Sequence, residues 1–151
     1  MLRSILLPTD GSGSALLAAE TLAELITAPS ETRVTIAIAI EPLSIETTDY
    51  DQDIIDRQNT KMREKAQAAL DITGRVFTRK GIEFVTKIIE GDPVSAALAQ
   101  EAETGTYDVI AMGSRGLGMQ KNNLHYLGSV TEHVIRRVGI PVIVIPVHKD
   151  K

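Results

Sequence analysis

The chain has 151 residues, 16 of them Lys or Arg against 20 Asp or Glu, for a net charge of −4, and 43% are hydrophobic. That length suits one domain, residues 1–151, burying roughly 70% of its unfolded surface, and the composition excludes global disorder. With no Cys, a disulfide frame, a zinc ribbon and a thiolate nucleophile are excluded as well. No apolar run reaches the length of about 18 residues that a membrane helix needs, and Asp10 interrupts the N-terminal run too early for a signal peptide. These absences predict a cytoplasmic, soluble protein without membrane insertion. A pI near 5.4 argues against nucleic acid as a partner, because backbone affinity comes from clustered Lys and Arg. The 3% aromatic content removes the usual stacking platforms for single strands.

Leu2 to Leu7 is a short apolar run ended by Pro8, Asp10 and Gly11, the pattern of a buried strand entering a turn. A helix is expected from Ser14 to Ile26, with Ala15, Ala19, Leu22 and Ile26 at helical spacing and Pro29 closing it. Val34, Ile36, Ile38 and Ile40 interleave with Ala37 and Ala39, so this strand is apolar on both faces, as in a parallel sheet covered by helices. Glu41 to Asp56 carries six carboxylates and no Lys or Arg, and reads as an exposed connection. A long helix is expected from about Asp53 to Lys80, with Ile55, Met62, Ala66, Ala69, Thr73 and Val76 on one stripe and Gly81 as its stop. Phe84 to Ile89 is a third strand. Asp92-Pro93 reads as an N-cap and first-turn proline for a helix carrying Ala97, Leu98 and Ala102. Asp108 to Met112 is a fourth strand ending at Gly113. Val130, Val134 and Val138 mark a fourth helix stopped by Gly139, and Ile140 to Val147 a fifth strand. Five strands alternating with four helices predict a doubly wound open parallel α/β sheet.

In such a sheet, ligands bind beyond the carboxyl ends of strands where the strand order reverses. Two strand ends stand out: Pro8-Thr9-Asp10-Gly11-Ser12-Gly13-Ser14, and Met112-Gly113-Ser114-Arg115-Gly116-Leu117-Gly118 with Gly128-Ser129-Val130-Thr131 after it. Glycines 113, 116, 118 and 128 permit positive φ and close backbone approach. Amides at Gly128 to Thr131 would lie at a helix N-terminus, which favours an anion. The Ser129 and Thr131 hydroxyls would add donors and Arg115 a positive charge, a set that can hold a polyphosphate. A structural reading competes: Ser129-Val130-Thr131-Glu132 is also a capping box, in which Ser129 and Glu132 satisfy the helix's own donors. Asp10 is likewise either a turn residue or a carboxylate aimed at a sugar hydroxyl or a Mg²⁺ ion.

Standard fingerprints are missing. There is no G-x-x-x-x-G-K-[ST] motif, and Gly11 to Leu16 fails the dinucleotide pattern at its sixth position. His125, His133 and His148 have neither Cys partners nor His-x-x-x-His spacing, so they predict no metal site. Ser12 and Ser14 sit in no G-x-S-x-G elbow.

The chain nevertheless resembles the universal stress protein family over nearly its whole length. The matching stretches are Leu6-Leu7-Pro8-Thr9-Asp10-Gly11-Ser12, Gly91-Asp92-Pro93, Tyr107 to Gly116, Leu127-Gly128-Ser129-Val130-Thr131-Glu132 and Pro141-Val142-Ile143-Val144-Ile145. The resemblance implies a five-stranded sheet in order 3-2-1-4-5 and, from the Gly-x-x-Gly and Gly-Ser pieces, ATP binding with Mg²⁺ carried by the phosphates. Pro8, Thr9 and Asp10 would then form the β-strand-one side of the site, Asp10 next to the ribose, phosphates and metal. Ala39 would meet the adenine through its backbone, and Met112 and Gly113 would line the nucleoside. Arg115 and Gly116 would flank the ribose and phosphates, and Gly128, Ser129, Val130 and Thr131 would donate to phosphate. The resemblance also implies a homodimer through the last strand, Ile140–Val147, and a regulatory, nucleotide-dependent switch or adaptor with a protein partner still to be found.

One departure from the family pattern bears on the site. Eleven residues separate Gly116 from Gly128, two more than the family's usual spacer. Chain entropy makes that difference negligible, about 0.2 kcal/mol, so the question is whether both ends still converge. The added residues, within Gly118 to His125, are expected to bulge outward and leave the ends in place. Two alternatives stay open: a dimeric adaptor without nucleotide, whose longer loop has spoiled the pocket, and a slow ATP hydrolase. No general base stands out, so catalysis beyond slow ATP hydrolysis is not expected.

Overall fold

The structure, a computed structural model, describes residues 2–44, 51–114 and 127–147. Five strands and four helices alternate: β1 Ser4–Pro8, α1 Gly13–Leu25, β2 Arg33–Ile40, α2 Gln52–Arg79, β3 Glu83–Glu90, α3 Val94–Thr104, β4 Val109–Gly113, α4 Ser129–Arg137 and β5 Val142–Ile145. A short 3-10 turn, Pro29–Glu31, links α1 to β2. The strands form one sheet in order β3-β2-β1-β4-β5, and all four pairings are parallel. The expected fold and strand order both hold.

Period-two alternation divides the core between the two faces of the sheet. Ile5, Leu7, Val34, Ile36, Ile38 and Ile40 pack with Ala18, Ala19, Leu22 and Ala23 of α1 and with Ala66, Leu70, Val76 and Phe77 of α2. Leu6, Ala37, Ile110 and Met112 pack on the other side with Leu98 and Ala102 of α3 and Val134 of α4. Alanines on α1 and glycine on α2 let helices lie close to the sheet. A Cβ at Gly74 would sit 2.6 Å from the Phe84 ring of β3, so any larger residue there would have to displace that ring.

Several boundaries differ from expectation. The first helix starts one residue early because Ser12 caps it, accepting from Ala15 N at 3.1 Å. The second starts at Gln52 because Asp51 accepts from Ile54 N at 3.1 Å, which shortens the acidic connection. Asp92 is not an N-cap: Pro93 holds that position, and no side chain caps α3. The fifth strand spans Val142–Ile145 rather than the whole of Ile140–Val147. Asp108 precedes β4 and uses its carboxylate on β1, where Oδ2 accepts from Arg3 N at 2.8 Å and Ser4 N at 2.9 Å. Those two amide donors, Ser4 first, hold the Asp108 carboxyl below its ordinary range.

A half-buried polar chain ties α3 to the sheet. Glu101 Oε1 accepts from Lys87 Nζ of β3 at 2.7 Å and from the Tyr107 hydroxyl at 2.8 Å. Burial pushes the Glu101 carboxyl up, but the Lys87 and Tyr107 hydrogen bonds outweigh it and leave the group below the ordinary 4.5. Burial, together with donation to Glu101, raises the Tyr107 hydroxyl from 10.0 to about 12. The Glu101 contribution to stability is therefore present above its unfolded pKa and lost as pH falls through the lower folded value. The Tyr107 contribution is present below its unfolded pKa and lost as pH rises through about 12. Glu101→Gln should cost about 1–2 kcal/mol at neutral pH, since it replaces charge-assisted bonds with neutral ones. In urea unfolding curves, that difference from wild type should close as the solution is acidified past the folded carboxyl's pKa.

Candidate functional site

The sheet changes winding direction between β1 and β4. After β1 the chain leaves to the face covered by α1 and α2; after β4 it leaves to the face covered by α3 and α4. The carboxyl ends of the two strands are neighbours, so a crevice opens between their departing loops. The residues expected at these ends can be taken strand by strand.

On the β1 side, Pro8 is half-buried and Thr9 is buried. Thr9 N donates to Ala37 O at 2.8 Å, which carries the sheet contact one residue past Pro8. The turn then tightens: Gly11 N donates to Thr9 Oγ1 at 3.2 Å and Ser12 N to Asp10 Oδ1 at 2.9 Å. Gly11 has φ +78, and a Cβ there would lie 3.2 Å from Ala69 of α2. The turn thus needs glycine for two separate reasons. Asp10 is an exposed residue held in this turn by its own side chain, so the turn and the carboxylate readings are compatible. Among the described residues, no three His, Cys, Asp or Glu gather as a metal cage.

β2 runs past the end of β1. Pro8 pairs with Ala37, so Ala39 stands two residues beyond, half-buried and on the α3/α4 side of the sheet. It lies opposite Ile89 of β3, and its N–H and C=O point to the β1 side of the strand, as those of Ala37 do where its carbonyl accepts from Thr9 N. Met112 is on the same side but its side chain is buried in the core under α4. Only its backbone, with that of Gly113, is left to line the crevice.

On the β4 side, Ser114 joins three elements. Its N donates to Ile145 O at 2.9 Å and its carbonyl accepts from Gly128 N at 2.8 Å. Its Oγ accepts from Val147 N at 3.0 Å. The Gly128 bond brings the start of α4 directly to the end of β4, so the ends converge despite the longer spacer. Arg115, Gly116 and the expected bulge within Gly118 to His125 lie outside the described residues.

The capping box does not form. Gly128, with φ −58 and ψ 147, is the N-cap of α4, and no side chain caps that helix. Ser129 is inside the helix, and Glu132 Oε1 accepts from Arg136 Nη2 at 2.7 Å instead of reaching back. The reason is the Ser114 bond, which fixes Gly128 at the boundary and moves the helix start one residue upstream of the motif's serine. The first intrahelical bond is Glu132 N to Gly128 O at 3.0 Å. The Ser129, Val130 and Thr131 amides precede it and have no acceptor among the described residues. Positive φ, expected at Gly113 and Gly128, is found among the described glycines only at Gly11 and Gly81.

Thr131 also differs from expectation. Its hydroxyl donates to Gly113 O at 2.9 Å and the residue is buried. A hydroxyl has one proton, so this side chain locks α4 onto β4 and leaves only its amide to offer. Sequence reasoning missed Ser114 as the joint; a serine just after a strand carries no signal beyond that of a turn.

The arrangement defines a doubly wound α/β protein with a switch-point crevice and an uncapped helix N-terminus facing it. The sequence profile of the universal stress protein family matches residues 1–146, and the chain belongs to that family. Among solved structures, hypothetical protein MJ0577 is 28% identical, with a TM-score of 0.83 over 100% of this chain and 99% of its own. A universal stress protein in complex with cAMP is 21% identical, with a TM-score of 0.64 over 97% and 98% of the two chains. A universal stress protein family protein from Arabidopsis thaliana with AMP bound is 17% identical, with a TM-score of 0.72 over 98% and 94%. No curated protein matches the sequence. Among the described residues, no helix is long and apolar enough to cross a membrane.

Thr131→Val keeps the side-chain shape but leaves the Gly113 carbonyl without its donor. It should lower unfolding free energy by about 1–2 kcal/mol, read from urea midpoints at constant slope. A midpoint matching wild type would mean that the bond adds nothing to stability.

Proposed function

We propose that this universal stress protein binds an adenine nucleotide, ATP by its phosphate sites, in the crevice between β1 and β4, and uses it as a regulatory ligand. The observation that carries this reading is the row of amides at Ser129, Val130 and Thr131, unsatisfied among the described residues and pinned beside β4 through Gly128 and Ser114. Such a row, at the positive end of a helix dipole, suits a phosphate. Ala39 of β2 and the Met112–Gly113 backbone of β4 flank the end of β1 on its two sides and would line the nucleoside. Proteins of this fold holding cAMP and AMP support the capacity of the architecture for adenine nucleotides. Arg115 and Gly116 would complete the ribose and phosphate contacts.

Magnesium fits as a passenger on the phosphates. The described residues provide no cage for a free ion, and Mg²⁺ commonly takes one or two carboxylates plus substrate phosphates and water. Asp10 would be the carboxylate in that role. Hydrolysis is not the favoured use: phosphoryl transfer needs positioned cations and an oriented nucleophile, whereas the described rim offers amides, hydroxyls and an Asp10 already accepting from Ser12. Nucleotide state would instead be reported to a protein partner in the cytoplasm.

A homodimer through the last strand belongs to the same reading. β5 is an edge of the sheet, and Val142, Ile143 and Val144 are only half-buried. A second copy paired there would cover apolar surface and an open strand edge at once.

Calorimetry with ATP and Mg²⁺ should give a micromolar Kd, equivalent to about −8 kcal/mol. Gly128→Asp should abolish binding and leave the fold intact, because φ −58 and ψ 147 suit an Asp N-cap, whose carboxylate would occupy the anion's place. Wild-type protein without measurable binding, or a Gly128→Asp variant that binds as well as wild type, would refute the nucleotide reading.

A further inference from the structure

Ser114 is the one residue in the described structure that bonds both to the start of α4 and to the end of β5. Two of its three bonds go to the β5 exit: N to Ile145 O at 2.9 Å, and Oγ from Val147 N at 3.0 Å. The third, from Gly128 N to its carbonyl at 2.8 Å, sets where α4 begins. Val147 is buried, whereas Gly128 borders the crevice. The Thr131 bond to Gly113 O, 2.9 Å, fixes the first turn of α4 to β4 without touching β5. The two residues therefore divide the labour: the Thr131 hydroxyl anchors the helix, and Ser114 links that anchored helix to the sheet edge, its carbonyl holding Gly128 and its amide and hydroxyl holding the β5 exit.

We infer that Ser114 is a positioning residue that couples the anion cradle at Ser129–Thr131, through Gly128, to the exit of β5, so that the two segments open and close together. A shared residue with bonds to both sides is a contiguous physical link of the kind that coupling requires. Such coupling is reciprocal: whatever steadies Gly128 steadies Val147 to the same free-energy extent, and the reverse. The ligand half of this inference rests on the nucleotide reading above, whereas the coupling itself does not need a ligand. Through it, occupancy of the cradle is felt at the edge strand where a second copy would dock.

Amide hydrogen exchange on the full chain tests the link, since it resolves local opening residue by residue. Without ligand, Ser114→Ala should speed exchange at Val147, which loses its acceptor, and also at Gly128, whose acceptor carbonyl is untouched. The expected rise at Gly128 is about two- to tenfold, the range for one lost hydrogen bond. Ser114→Thr, which keeps the hydroxyl, should restore both amides. A rise at Val147 alone would reveal a purely local role and overturn the coupling. If Ser114→Ala does not fold, the wild-type amides of Gly128 and Val147 are followed in sub-denaturing urea. One shared opening free energy supports the link, and two distinct ones overturn it.

Adding ATP and Mg²⁺ to wild type then separates the two proposals. Protection rising at both Gly128 and Val147 supports both. Calorimetric binding with Val147 unchanged overturns the coupling and keeps the nucleotide reading. No binding refutes the nucleotide reading and leaves the ligand-free arm to decide the coupling.

Discussion

The hydrogen bond from Gly128 N to Ser114 O is the constraint on which the rest of the crevice depends. A longer spacer between two glycine segments costs little entropy, because closure grows only with the logarithm of length. Geometry is the stricter condition. Two backbone segments can serve one ligand only if their ends are held within reach, and here they are held by direct contact at 2.8 Å. Once Gly128 is fixed, the boundary of α4 follows, and so do the direction of its first amides and the loss of the serine cap.

That joint can be rigid because the layers beneath it are. β1 is central, paired with β2 on one side and β4 on the other, and Ile5, Leu6 and Leu7 are almost wholly buried. Burying each such side chain contributes about 1.5–3 kcal/mol, so the strand that carries Pro8, Thr9 and Asp10 to the rim has little freedom. β4 is anchored from a distance as well, through Asp108 and the amides of Arg3 and Ser4. The loops at the crevice therefore spring from the best-buried part of the sheet, while its edges, β3 and β5, keep half-exposed faces.

The architecture was legible in the sequence because strands buried on both faces read as apolar runs, and their alternation with helical spacings leaves few topologies. The crevice was legible in position for the same reason. What local pattern could not deliver were contacts set by tertiary structure. The Ser129 to Glu132 stretch carries a capping-box pattern that yields to the bond Gly128 N donates to Ser114 O, fourteen residues earlier. The Thr131 hydroxyl looked like a ligand donor because nothing in its neighbourhood hints at the Gly113 carbonyl. Asp108 serves residues more than a hundred positions away, and no window of sequence contains both partners. Asp92 followed by proline reads as a cap, yet the helix begins after Pro93.

Two helices, α3 and α4, begin without a side-chain cap, and electrostatics separates them. Asp92 immediately precedes Pro93, the N-cap of α3. Its charge raises the pKa of Glu41 at the end of β2, and Gly91 N donates to Ile40 O at 3.0 Å, keeping the two strand ends together. An anion brought to α3 would face that pair of carboxylates, and the gain of about 1 kcal/mol from a helix dipole does not overcome repulsion from adjacent like charges. At α4 the acidic residue of the first turn, Glu132, is engaged by Arg136 at 2.7 Å. The start of α3 is thus set among carboxylates, whereas the first-turn carboxylate of α4 is paired, and α4 begins where β1 and β4 part.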